Sequence, residues 1–252
     1  MSFRDALNQY IEHPTKYDDV IFHDDNVVII RDKFPKSIRH FLIIPKSKSI
    51  THIHPLDVFN RNYIDQKGDE LYELMSEYVE KAKDLIVQDL STTLNHLDNI
   101  KASEFKNSFI RAGIHSVPSL RNLHIHVITQ DFHSDRMKNK KHYNSFTTKF
   151  FVDFEQLDPM LNEKFNKLVN RNENYDSSSA HESESDDGIE YVRHVRNGAT
   201  LNEFLKSDLK CVYCGVNFEK SMVKLKEHLK IHFKEKYQAL GDYQNLLPNA
   251  SR

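Results

Sequence analysis

The spacing Cys211-x2-Cys214-x13-His228-x3-His232 constrains this 252-residue chain more tightly than any other feature of its sequence. A CxxC knuckle presents two thiolates from one tight turn, and histidines four apart project from one face of a helix, so four donors close a tetrahedron around zinc. Phe218 and Leu225 fall between the two pairs, where a small ββα-like finger keeps its core. With four protein ligands such a zinc has no open position, so Cys211, Cys214, His228 and His232 are expected to hold a structural ion. The bland alternative is two buried thiols and two surface histidines. Both of the chain's cysteines belong to this set, so a disulfide scaffold is excluded and a reducing compartment is implied.

The finger's helix carries Lys220, Lys224, Lys226, Lys230, Lys234 and Lys236, and residues 189–252 hold 11 Lys+Arg against 7 Asp+Glu, a net of +4. A lysine face is often only solvated, but on a zinc finger it is expected to meet nucleic-acid phosphates. One finger reads few bases, so sequence specificity should be weak. The whole-chain net charge of -2 hides this basic region because residues 171–190 carry seven acidic side chains against one arginine. That serine-rich stretch has too little apolar surface to offset its ordering entropy and reads as a linker, open to phosphorylation and to a repair scaffold. The expected organisation is a domain over 1–170 with an N-terminal helix, a linker over 171–190 and the finger domain over 191–252. The six glycines never lie closer than ten residues, which excludes a Walker loop and a GxGxxG fingerprint. A membrane span and a secretory leader are not expected.

In the first domain, residues 20–30 read as two β-branched strands around a His-Asp-Asp-Asn turn, and residues 40–45 as a third strand closed by Pro45. Leu71, Met75, Tyr78, Val79, Ala82 and Ile86 recur at helical spacing and predict a long amphipathic helix. Residues 108–114, 123–129 and 150–154 predict further strands, giving an α+β fold with the helix packed on a largely antiparallel sheet. Alternation along the strand sets His124 and His126 on one face, with Leu123, Ile125 and Val127 on the other. With His115 and Ser119 nearby, these imidazoles suit attack on phosphorus, one neutral ring as nucleophile and its neighbours as donors. Histidine pairs on strands also ligate metals, and isolated pairs are often structural.

Asn122-Leu123-His124-Ile125-His126-Val127-Ile128 resembles the histidine triad signature of nucleotide hydrolases and transferases. The segments around His115–Ser119, Asp32–Lys36, His40–Pro45, Gln130–Phe132 and Met137–Phe146, followed by one C2H2 finger, resemble the aprataxin branch in particular. Aprataxins remove AMP from the 5′ phosphate of DNA left by abortive ligation. The resemblance implies a histidine triad fold and an AMP-releasing hydrolase of a phosphoric anhydride, working in DNA single-strand break repair in the nucleus. It implies His124 as nucleophile through a covalent histidine–AMP intermediate, His126 and Ser119 on nonbridging oxygens and His115 beside the leaving phosphate. His40, Lys46, Ser47, Asn122, His133, Ser134, Lys138 and Lys141 are the implied substrate contacts, and Val28 and Ile30 a floor for adenine. Asn122 stands where the general triad has its first histidine, so that role falls to an amide or to His40.

Lys138, Lys140 and Lys141 belong to a run over 136–149 with five basic and no acidic residues, read as a loop that steers DNA phosphates. No catalytic metal is expected, since histidine and lysine supply the positive charge. Two rival readings are a triad hydrolase of free dinucleoside polyphosphates or nucleoside phosphoramidates, and a noncatalytic nucleic-acid-binding finger protein with a structural histidine strand.

Overall fold

The computed structural model describes residues 2–60, 67–93, 99–161 and 198–237. The acidic stretch 171–190 lies outside the described residues. Six strands, Val20–His23 (β1), Val27–Arg31 (β2), His40–Pro45 (β3), Ile110–His115 (β4), Ile125–Thr129 (β5) and Phe151–Asp153 (β6), form one sheet in the order β1-β2-β3-β5-β4-β6. Every neighbouring pair is antiparallel. The β1–β2 turn closes on Asp24, whose carboxylate accepts the backbone N–H of Asn26 at 2.9 Å and of Val27 at 3.0 Å. Helices are Asn8–Glu12 (α1), Pro55–Val58 (α2), Gly68–Thr93 (α3), Asn99–Phe109 (α4), Lys140–Thr147 (α5), Gly198–Lys206 (α6) and Met222–Tyr237 (α7). None of these is long and apolar enough to cross a membrane.

One sheet face, with Ile29, Phe41, Ile43, Val127, Ala112 and Ile114, packs against Met75, Val79, Ala82 and Ile86 of α3. Each of the larger of these side chains contributes about 1.5–3 kcal/mol on leaving water. Strand alternation then sends their neighbours to the opposite face, and cross-strand register aligns Leu42, His126 and Gly113 there. This second face carries two clusters. Val28, Ile30, Leu42 and Ile44 are covered by Leu7 and Tyr10 of the N-terminal segment. Ile128, Phe132, Tyr143, Phe146 and Phe151 share a core with Leu209, Leu225 and Leu229 of the finger.

Several elements differ from the sequence reading. The basic run over 136–149 contains a helix, α5, capped by Asn139, whose Oδ1 accepts the His142 N–H at 3.0 Å. The strand expected from Ser108 begins at Ile110, because α4 runs up to Phe109. In the finger, a single antiparallel bridge, Lys210 to Asn217, stands before the helix α7 where two strands were expected. The finger is also tied directly to α5: the Tyr143 hydroxyl donates to the Lys210 carbonyl at 2.9 Å, and Asn144 Nδ2 donates to the Ser207 carbonyl at 2.8 Å.

Gly113 shows how closely the histidine face is built. A Cβ there would lie 2.2 Å from the Val152 carbonyl oxygen and 2.5 Å from the Phe151 ring. Gly113→Ala is therefore expected to push β6 off β4 and to destabilise by about 1–3 kcal/mol. An unchanged urea midpoint in that variant would contradict the packing described.

Candidate active site

His40 on β3, His115 on β4 and His126 on β5 meet because their strands are adjacent and the three share a face, and His124 lies just ahead of β5. The His126 ring centroid lies 4.5 Å from His115, 4.9 Å from His124 and 5.1 Å from His40. His124 Nδ1 is 2.7 Å from the carbonyl oxygen of Asn122. A carbonyl only accepts, so Nδ1 carries the proton and Nε2 keeps its lone pair. His126 Nδ1 lies 2.9 Å from His40 Nε2, and His40 Nδ1 lies 3.4 Å from Asp32 Oδ2 and 3.4 Å from the Lys36 backbone nitrogen. Asp32, His40 and His126 bring donor atoms within 4.8 Å of one another. His40 Nε2 faces His126 Nδ1 at hydrogen-bond distance, while its Nδ1 accepts the Lys36 N–H with the Asp32 carboxylate beside it.

The Nε2 atoms of His115 and His126 are buried with no hydrogen-bond partner among the described residues. An unpaired buried polar atom costs about 1–3 kcal/mol, and such atoms mark where a ligand's own polar groups fit. Burial pushes His40 down to about 4 and lowers His124 and His126 as well. His115 is driven down too, to about 3, by the same burial. Near neutral pH all four rings are uncharged.

The sign of the resulting pH dependence is fixed. Unfolded histidine takes a proton near pH 6.5, whereas folded His40 does so only near 4. Between those values the unfolded state binds more protons, so stability is lost as pH falls through that window, by up to about 1.4 kcal/mol per pH unit for each such group. His40→Asn should show a shallower fall of urea midpoint between pH 6.5 and 4.5 than the parent protein. Parallel curves for the two would contradict the assignment.

The other sequence-derived positions fall in three groups. Lys138 is exposed just ahead of α5 and Lys141 in its first turn, and Ser119 is exposed on the loop over 116–122. Ser47 hydrogen-bonds Ser49 at 2.8 Å, while Lys46 turns back to donate to the Asp24 carbonyl at 2.7 Å. Asn122, His133 and Ser134 are buried. The Asn122 amide donates to Asn8 Oδ1 at 2.8 Å and to Thr51 Oγ1 at 3.0 Å. His133 packs against Phe233 of the finger helix with centroids 5.5 Å apart, and Ser134 donates to the Pro35 carbonyl at 2.8 Å. Val28 and Ile30 are 0% and 2% exposed beneath the N-terminal segment. Sequence reasoning assigned no role to Lys36, whose ammonium acts electrostatically on His40, His115 and His126, or to Phe146, whose ring touches all three.

At the finger, Cys211, Cys214, His228 and His232 bring one donor atom each within 4.8 Å of the others. His228 Nε2 is 3.1 Å from Cys214 Sγ and 3.0 Å from His232 Nε2. Tetrahedral zinc with Zn–N near 2.0 Å needs nitrogens about 3.3 Å apart, so the donor set fits the ion. Gly215, at φ +74°, supplies the left-handed residue that turns the knuckle.

Comparison with known families matches residues 5–142 to the scavenger mRNA decapping enzyme C-terminal binding model and residues 147–235 to the C2HE / C2H2 / C2HC zinc-binding finger model. The chain is 35% identical to an aprataxin-like protein of Saccharomyces cerevisiae, over 94% of this chain and 99% of that one. It is 33% identical to an aprataxin-like protein of Schizosaccharomyces pombe, over 91% and 81% respectively. Among solved structures, the aprataxin ortholog Hnt3 in complex with DNA superposes with a TM-score of 0.67 at 31% identity, covering 93% of this chain and 96% of that one.

Proposed function

The chain belongs to the aprataxin-like family of histidine triad proteins, and from that premise we propose that it hydrolyses 5′-adenylated DNA, releasing AMP in the repair of strand breaks. The observation that carries the reading is the pairing of His124, tautomer held and Nε2 available, with the unpartnered Nε2 atoms of His115 and His126. His124 Nε2 attacks the adenylate phosphorus in line. The N–P bond forms as the P–O bond to the DNA 5′ phosphate breaks, and the neutral imidazole needs no prior deprotonation. His126, backed by His40 and Asp32, and Ser119 serve the nonbridging oxygens, and His115 serves the leaving phosphate, where donors aimed at developing charge are worth most. Lys36 adds a positive charge on the same side. Water then hydrolyses the His124–AMP bond.

DNA is held, on this reading, by Lys138 and Lys141, by the loop bearing Ser47, and by the lysines of α7. His133 and Ser134 act one step back, fixing the junction between histidine face and finger. Zinc, held by Cys211, Cys214, His228 and His232, supplies the finger's fold rather than chemistry at phosphorus. Such a substrate places the protein in the nucleus.

AMP release from a 5′-adenylated nick, measured against turnover of a dinucleoside polyphosphate, tests the proposal. Preference for the DNA substrate by a factor of at least ten in kcat/KM is expected. Equal or faster turnover of the free dinucleotide would favour a small-molecule hydrolase instead.

A further inference from the structure

Phe146 stands at the centre of the histidine group although it carries no chemistry of its own. It lies edge-on to His40, centroids 5.4 Å apart at 88°, and to His126, 5.3 Å at 87°, and tilts over His115 at 4.7 Å. Its position is fixed from behind. The Phe146 carbonyl accepts Arg111 Nη1 at 2.9 Å, and the same guanidinium is paired with Asp153 of β6 and lies 4.7 Å from the Phe151 ring centre. Phe151 in turn meets Phe146 at 5.6 Å. A clamp spanning β4, β6 and α5 thus holds one apolar ring against three imidazoles from three elements. Two of those imidazoles present buried, unpartnered Nε2 atoms.

We propose that Phe146 is a positioning residue of the reaction: it is the wall that keeps water from His40, His115 and His126, so that their ring nitrogens meet the phosphates of the substrate before they meet solvent. An imidazole in a dry setting surrenders its proton readily once charged, and a phosphate anion arriving beside it supplies the charge that lets it hold one. The wall therefore couples protonation of the group to occupancy by an anionic phosphate ester or anhydride. The charged and titratable groups facing the rings are few. His126 faces His115, His124, His40 and Lys36; His40 faces Asp32, Lys36 and His124; His115 faces His124, His40 and Lys36 and bonds the Ser145 backbone. Replacing Phe146 alters none of them, which separates its effect from that of a neighbouring charge.

The inference rests on the hydrolase reading for its consequence in catalysis, but part of its test needs no substrate. Histidine ring resonances of the zinc-loaded protein, followed by NMR against pH, should move their midpoints upward by about one unit in Phe146→Leu, because admitted water favours the charged rings. Phe109→Leu, a cut of the same size in the core on the opposite sheet face, should leave those midpoints in place. The acid limb of kcat/KM for AMP release should rise in step with the Phe146→Leu midpoints, with DNA affinity at pH 8 retained. Should Phe146→Leu fail to fold, Phe146→Met, closer in volume, carries the same expectations. Unmoved midpoints in a folded Phe146 variant, or the same upward movement in Phe109→Leu, would overturn the proposal. Moved midpoints without AMP release by the parent protein would leave the wall standing and remove the hydrolase.

Discussion

Replacing His124 with alanine is expected to lower AMP release from adenylated DNA by a factor of about 1000 or more, equivalent to about 4 kcal/mol of lost transition-state stabilisation. The size follows from its position. The Asn122 main-chain carbonyl holds His124 Nδ1 at 2.7 Å, so its Nε2 is presented as a nucleophile in a fixed direction. DNA affinity should hardly change, since the basic side chains assigned to phosphate binding lie on the surface around α5 and on α7. His126→Ala should also slow release and leave affinity intact, but by less, because Nε2 of His126 aids charge development without forming a bond. A His124→Ala protein with near-parental turnover would remove the nucleophile assignment.

Removal of zinc is the second large effect. Structural zinc contributes on the order of 10 kcal/mol to the folding of a finger, well beyond what the finger's few buried side chains can replace. Leu209, Leu225 and Leu229 share one apolar cluster with Ile128, Phe132, Tyr143 and Phe146, so collapse of the finger strips cover from the helix that carries Phe146. Chelation, or Cys214→Ser, is accordingly expected to abolish AMP release as well as DNA binding, with chelated protein recovering both on zinc addition. Cys214 is the better position to change, being exposed where Cys211 is 3% exposed and packed in that cluster. Full turnover by zinc-free protein would mean that the histidine face stands without the finger.

What the sequence revealed depended on the range of the interactions involved. β3 was legible to the residue and β5 to within two residues of its start, His124 falling just ahead of it, since β-branched runs, Pro45 and alternation are local signals. The zinc donors were legible from spacing alone. α5 was not, because its buried Tyr143 and Phe146 sit among lysines, asparagine and histidine that resemble a solvated loop until Asn139 is seen as a cap. The chain Asp32–His40–His126 and the clamp on Phe146 join segments 86 and 35 residues apart, which no periodicity reports. Nor did the sequence suggest that the finger shares its core with the histidine face. Phe218 and Leu225 read as the private core of a ββα unit, whereas Leu225 shares one cluster with Tyr143, which reaches on to Lys210 and Val212.

The central claim is that AMP passes through a covalent bond to His124. A single-turnover reaction with a 5′-adenylated nick carrying labelled AMP phosphate, quenched in alkali to preserve a phosphoramidate, reads this directly. Label should appear transiently on the protein at His124 and then leave as AMP, and none should appear on His124→Ala. AMP formed by the wild-type protein at full rate with no label ever on the chain would contradict the account.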